Sequence, residues 1–78
     1  MENGGHIYKI VELVGSSPDG LEAAIEGALD RASETLRNID WFEVREIRGA
    51  MSGGKVGWYQ VKLGVGFRLE EPSDMSRG

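Results

Sequence analysis

WYQVKLGVGFRL, Trp58 to Leu69, is the stretch whose reading decides the architecture. Tyr59, Val61, Leu63, Val65, Phe67 and Leu69 alternate with Trp58, Gln60, Lys62, Gly64, Gly66 and Arg68. Strict period two is the signature of a strand with one apolar side, so one face is expected to lie on a helix and the other to face elsewhere. Working backwards, AMSGG (Ala50 to Gly54) has the glycines of a hairpin turn, and Phe42 to Arg48 alternates again, so a hairpin is predicted.

The helix that this hairpin needs stands upstream. Leu21, Ala24, Ile25, Ala28, Leu29, Ala32, Leu36 and Ile39 recur at three- and four-residue steps, which predicts an amphipathic helix of about five turns. Glu22, Glu26, Asp30 and Arg37 occupy its other side, and the alanines suit close approach to a sheet. Before it, Ser17 is expected to cap the first turn, Pro18 to take the first helical position and Asp19 to complement the dipole. His6 to Val14 reads as a strand ending at Gly15, with Ile7, Val11 and Leu13 on one face and Tyr8, Ile10 and Val14 on the other. The expected fold is α+β, in the order β-α-β-β: a three-stranded antiparallel sheet wrapped around one long helix. Residues 1–70 form a single domain in this reading, and residues 71–78 a polar, disordered tail.

Composition sets limits on what such a domain does. A chain of 78 residues buries only roughly 60% of the surface its unfolded form exposes, so it needs a further source of stability. There are no cysteines and one histidine, which removes disulfides, thiolate metal sites and cysteine nucleophiles and leaves self-association. A formal net charge of −4 argues against nucleic acid as partner, and no apolar run approaches a membrane span. The N-terminus MENGGHIYK has no basic region followed by an apolar one, so the chain is expected to be cytoplasmic. The mixed far face of the sheet, with Trp58 and Gln60, is expected to meet other copies of the chain or a ligand.

KIVELVGSSPDG (Lys9 to Gly20), the Ala-rich helix, DWFEVREIRG (Asp40 to Gly49) and YQVKLGVGFRLE (Tyr59 to Glu70) occur in this order at intervals that closely resemble those of the bacterial dodecins, small flavin-binding proteins. The likeness covers about Tyr8 to Glu70. What it implies is a hollow homododecamer whose pockets lie between subunits, each holding a pair of flavins stacked between tryptophans. FMN is the flavin it implies first, with riboflavin or FAD as alternatives. Some bacterial members also bind coenzyme A, which the resemblance therefore admits as a partner.

Three residues carry the expected site. Trp41 stands where the helical pattern gives way to a strand, and in DWFEV it matches the family's flavin-stacking tryptophan. An indole is the best side chain to stack on a flat, electron-poor ring; from the residues alone it also reads as a plug for the helix–strand corner, a role that Phe42 fits better. Gln60, in YQV, matches a flavin-contacting glutamine, and its donor and acceptor suit the pyrimidine edge of a flavin. Arg48, in EIRG, matches an arginine near the pocket, although a salt bridge to Glu46 or to a neighbouring subunit explains it equally well. Trp58 departs from the family pattern and is given no flavin. Lys9, Glu12, Glu43, Arg45 and Lys62 are candidates for ion pairs between subunits.

No GxGxxG follows a strand and no nucleophile–base–orienter set can be assembled, so the chain is not expected to be an enzyme. Storage, buffering or photoprotection of flavin is the expected role. A structural scaffold without flavin is the alternative, and a flavin-dependent oxidoreductase a more remote one.

Overall fold

The computed structural model describes residues 5–70; the polar tail expected at residues 71–78 lies outside them. It contains β1 (Tyr8–Ser17), α1 (Leu21–Ala32), β2 (Ile39–Ser52) and β3 (Lys55–Arg68). The three strands form one antiparallel sheet in the order β1-β3-β2, so the β-α-β-β arrangement is the one the sequence predicts. The alternating strand of the opening stretch is central, which is why its apolar side is the most deeply covered part of the chain: Val61, Leu63 and Val65 are fully buried, together with Ala24 of the helix.

Several local expectations are corrected. The helix ends at Ala32 after twelve residues rather than running on to Ile39. Turns follow it, with the Leu36 amide donating to the Ala32 carbonyl, and Asn38 takes a left-handed conformation at φ 64°. Asparagine tolerates that region better than most residues. Asn38 is also held by exchange with Arg68: the Arg68 amide donates to its carbonyl at 3.1 Å, and Asn38 Nδ2 donates to the Arg68 carbonyl at 3.3 Å. Leu36 and Ile39 still pack against the core, but from outside the helix. The local pattern alone does not reveal where the chain leaves the helix to join β3.

At the other end, Ser17 does not cap the helix. It closes β1, and its Oγ accepts from the Asp19 amide at 3.0 Å, which makes a tight turn ahead of Gly20, the residue at the N-cap. β1 also continues through Gly15. A Cβ there would overlap the Ala24 carbonyl oxygen, so glycine lets the helix settle on the strand backbone. Gly53 and Gly54 both have positive φ and form the two-residue turn between β2 and β3.

The helix rests on β1 and β3 and makes no contact with β2. At about 18 Å long, it covers less than half of β3, which spans about 46 Å. The consequence is that the helix side of β2 is left uncovered. Phe42, Val44, Ile47 and Met51 are all exposed on this strand, and Phe42, which faces the helix side, is left 45% exposed.

Candidate functional site

The site is built on the sheet face opposite the helix. Trp41 reaches that face because β2 pairs irregularly with β3. Ile39 pairs with Phe67 and Trp41 with Gly66, so Asp40 is an extra residue between them. A second irregularity between Val44 and Glu46 adds Arg45, after which Arg48 pairs with Gln60. Gly66 and Gln60 lie on the same side of regular β3, so their partners Trp41 and Arg48 do too.

The indole of Trp41 lies over Gly66. A Cβ at Gly66 would collide almost equally with three consecutive ring atoms, so the ring presents its face, not its edge, to the strand. The opposite side of the indole is left partly open, with the residue 37% exposed. Tyr8, at the near end of β1, flanks it with ring centroids 5.5 Å apart at a 58° tilt. At the edge of the ring, Trp41 Nε1–H donates to Glu43 Oε1 at 3.2 Å.

Gly64 repeats the device one pleat along β3. The Arg45 guanidinium covers it, donating through Nη1 to Glu12 Oε2 at 3.0 Å and forming an ion pair through Nη2 with Glu43 Oε2 at 3.1 Å. Lys62 pairs with Glu46 at 3.6 Å. The charged residues expected to pair between subunits therefore find partners within one chain at Glu12, Glu43, Arg45 and Lys62. These exposed pairs each contribute little stability, on the order of 0–1 kcal/mol.

Arg48 and Gln60 are brought together. Arg48 Nε donates to Gln60 Oε1 at 2.8 Å, so Arg48 partners the glutamine, while Glu46 is taken by Lys62. With one hydrogen bond already made to its carbonyl, Gln60 still has both amide N–H groups to offer a ligand. Trp58 lies on this same face opposite Ala50, as alternation predicts, and is half-exposed.

Trp41 is not brought to the other two. Gly66 and Gln60 are six residues apart on β3, about 20 Å. One chain thus carries two half-sites, an indole platform at one end and an Arg48–Gln60 pair further along.

Sequence reasoning missed Gly64, Gly66, Glu43, Arg45 and Tyr8 as parts of the site. The signal was present in LGVG, because two glycines inside a strand weaken it unless something must approach the backbone closely. Among the described residues, no group of three or more His, Asp or Glu side chains converges as a metal site, and no helix is long and apolar enough to cross a membrane.

Comparison with known proteins shows the family of this chain. The family model described as Dodecin matches residues 7–70. Dodecin from Thermus thermophilus is 64% identical over 67 residues, covering 86% of this chain and 97% of the relative. Among solved structures, dodecin from Streptomyces coelicolor superposes with a TM-score of 0.84 at 51% identity, covering 88% of this chain and 99% of that one. A more distant relative, Calcium dodecin of Mycobacterium tuberculosis, is 34% identical over 64 residues, covering 81% of this chain and 89% of the relative.

Proposed function

This chain belongs to the dodecin family, and on that premise we propose that it binds flavin without catalysing a reaction, as a store, buffer or photoprotective trap. The pockets lie between subunits of a homododecamer. FMN is the ligand proposed first, with riboflavin or FAD as alternatives; coenzyme A is a further candidate partner.

One observation carries this reading: the Trp41 indole is backed by Gly66 on one side and remains partly exposed. A core tryptophan would be enclosed on both sides. An indole held flat against a strand and still partly exposed is an arrangement that stacking on a planar ring can use. Gln60 and Arg48 supply polar contacts, the glutamine amide donating to a ring carbonyl and Arg48 holding that amide in orientation. Because these groups are about 20 Å from Trp41 in one chain, the ligand is shared between subunits. The exposed Phe42, Val44 and Ile47 on the helix side of β2 supply apolar surface for that assembly.

The test is to denature the purified protein, identify any released small molecule by mass, and titrate FMN into ligand-free protein while following its fluorescence. Binding with strong quenching is expected. A colourless protein that leaves added FMN fluorescent is a scaffold instead, and reduction of bound flavin by NADPH alone would establish an oxidoreductase.

A further inference from the structure

We propose that Glu43 is a positioning residue, fixing the plane of the Trp41 indole by tying its N–H to an ion-pair bridge that crosses the whole sheet. The proposal rests on the flavin reading for its consequence, but its geometry is a property of the chain itself.

Glu12, Gly64 and Glu43 form one row across β1, β3 and β2. Two carboxylates thus flank a glycine, and the Arg45 guanidinium lies over that glycine and pairs with both. Arg45 reaches this position because it is the extra residue of the irregularity between Val44 and Glu46. Glu43 uses its two oxygens differently: Oε2 takes the Arg45 guanidinium, and Oε1 takes the Trp41 indole N–H. The guanidinium limits how the carboxylate turns, and the carboxylate in turn limits how the indole tilts on Gly66. A stacking platform loses affinity when it must be ordered at the moment of binding, so a ring held in place beforehand binds more tightly.

The role differs from ordinary surface pairing because one carboxylate atom is committed to the ring. Replacing Glu43 by glutamine keeps an oxygen that accepts from the indole while weakening the pairing with Arg45; replacing it by alanine removes both. If the hydrogen bond to the indole is what matters, glutamine restores the function and alanine does not.

The experiment uses the full chain carrying Trp58→Phe, so that Trp41 is the sole tryptophan. Without ligand, near-ultraviolet circular dichroism and acrylamide quenching report how tightly Trp41 is held. In Glu43→Ala the dichroism should weaken and quenching should rise; in Glu43→Gln both should change in the same direction but less, since the oxygen on the indole remains while the ion pair with Arg45 is weakened. FMN affinity should fall about five- to tenfold in Glu43→Ala and less than about threefold in Glu43→Gln, the scale of one modest hydrogen bond. Unchanged dichroism and quenching in Glu43→Ala, or equal losses in both variants, would overturn the proposal. Should Glu43→Ala not assemble, the Raman band of the Trp41 indole N–H in the parent decides: a frequency typical of an unbonded N–H overturns it, and a bonded one upholds it. A parent that binds no FMN removes the flavin reading, while the ligand-free measurements still decide the role of Glu43.

Discussion

The Trp41 indole lies face-on across Gly66, two residues joined only by the pairing of β2 with β3. The absence of a side chain at position 66 is what lets the ring lie against the strand, and it makes Gly66 a direct handle on the platform. Gly66→Ala should push the indole outward at a cost of about 1–3 kcal/mol in local packing. We expect the oligomer to persist and FMN affinity to fall about tenfold or more. Fluorescence titration alongside light scattering checks this, and full affinity in the variant would mean that the ring position does not govern binding.

Removing the ring itself separates platform from core. Trp41→Ala should weaken FMN binding by roughly 1–3 kcal/mol and leave assembly intact, with Trp41→Phe retaining part of the affinity. A tryptophan that served the core would instead cost about 3–5 kcal/mol of stability, with or without flavin. Thermal unfolding of the ligand-free variants distinguishes the two.

Arg48 and Gln60 should act as a unit. Each single alanine substitution is expected to lower FMN affinity, and the double variant to lose less than the two losses added together, with a coupling of about 1 kcal/mol. Simple additivity would show that the 2.8 Å bond from Arg48 does not orient the glutamine for ligand.

Assembly is tested on the bare strand. The proposed homododecamer of the 8.5 kDa chain would be a particle of about 102 kDa. Ile47→Asp places a charge on an apolar position that is 56% exposed in the single chain. If that position is covered in the assembly, light scattering should show much smaller species for the variant, since an unpaired buried charge is strongly unfavourable. A full-sized particle would place Ile47 outside the subunit contacts.

Gly15 tests the helix seat. A Cβ would overlap the Ala24 carbonyl oxygen and press on Ala28, and backbone cannot step aside as a flexible side chain can. Gly15→Ala should therefore cost about 3 kcal/mol or more, read as a lower melting temperature whether or not flavin is present.

Much of this molecule is legible along the chain. The two-residue period of the opening stretch marks a strand whose apolar side needs a helix, and burial of Val61, Leu63 and Val65 follows directly. The three- and four-residue spacing upstream identifies that helix, and the adjacent glycines at 53 and 54 identify the turn. These features are local, because periodicity and glycine's tolerance of positive φ are properties of short segments.

What only the tertiary structure decides is how the segments meet. By strict alternation Trp41 and Arg48, seven residues apart, belong on opposite faces of β2. They share a face because one extra residue is absorbed at Arg45, and where a strand absorbs an extra residue depends on its pairing with β3. Leu36 and Ile39 keep a helical spacing yet lie beyond the helix, since the chain turns at Asn38 to bond with Arg68, thirty residues away. Local spacing determines which side chains are apolar and in what rhythm; register, bulges and the point where a helix gives way are set by contacts between distant segments, which no single stretch contains.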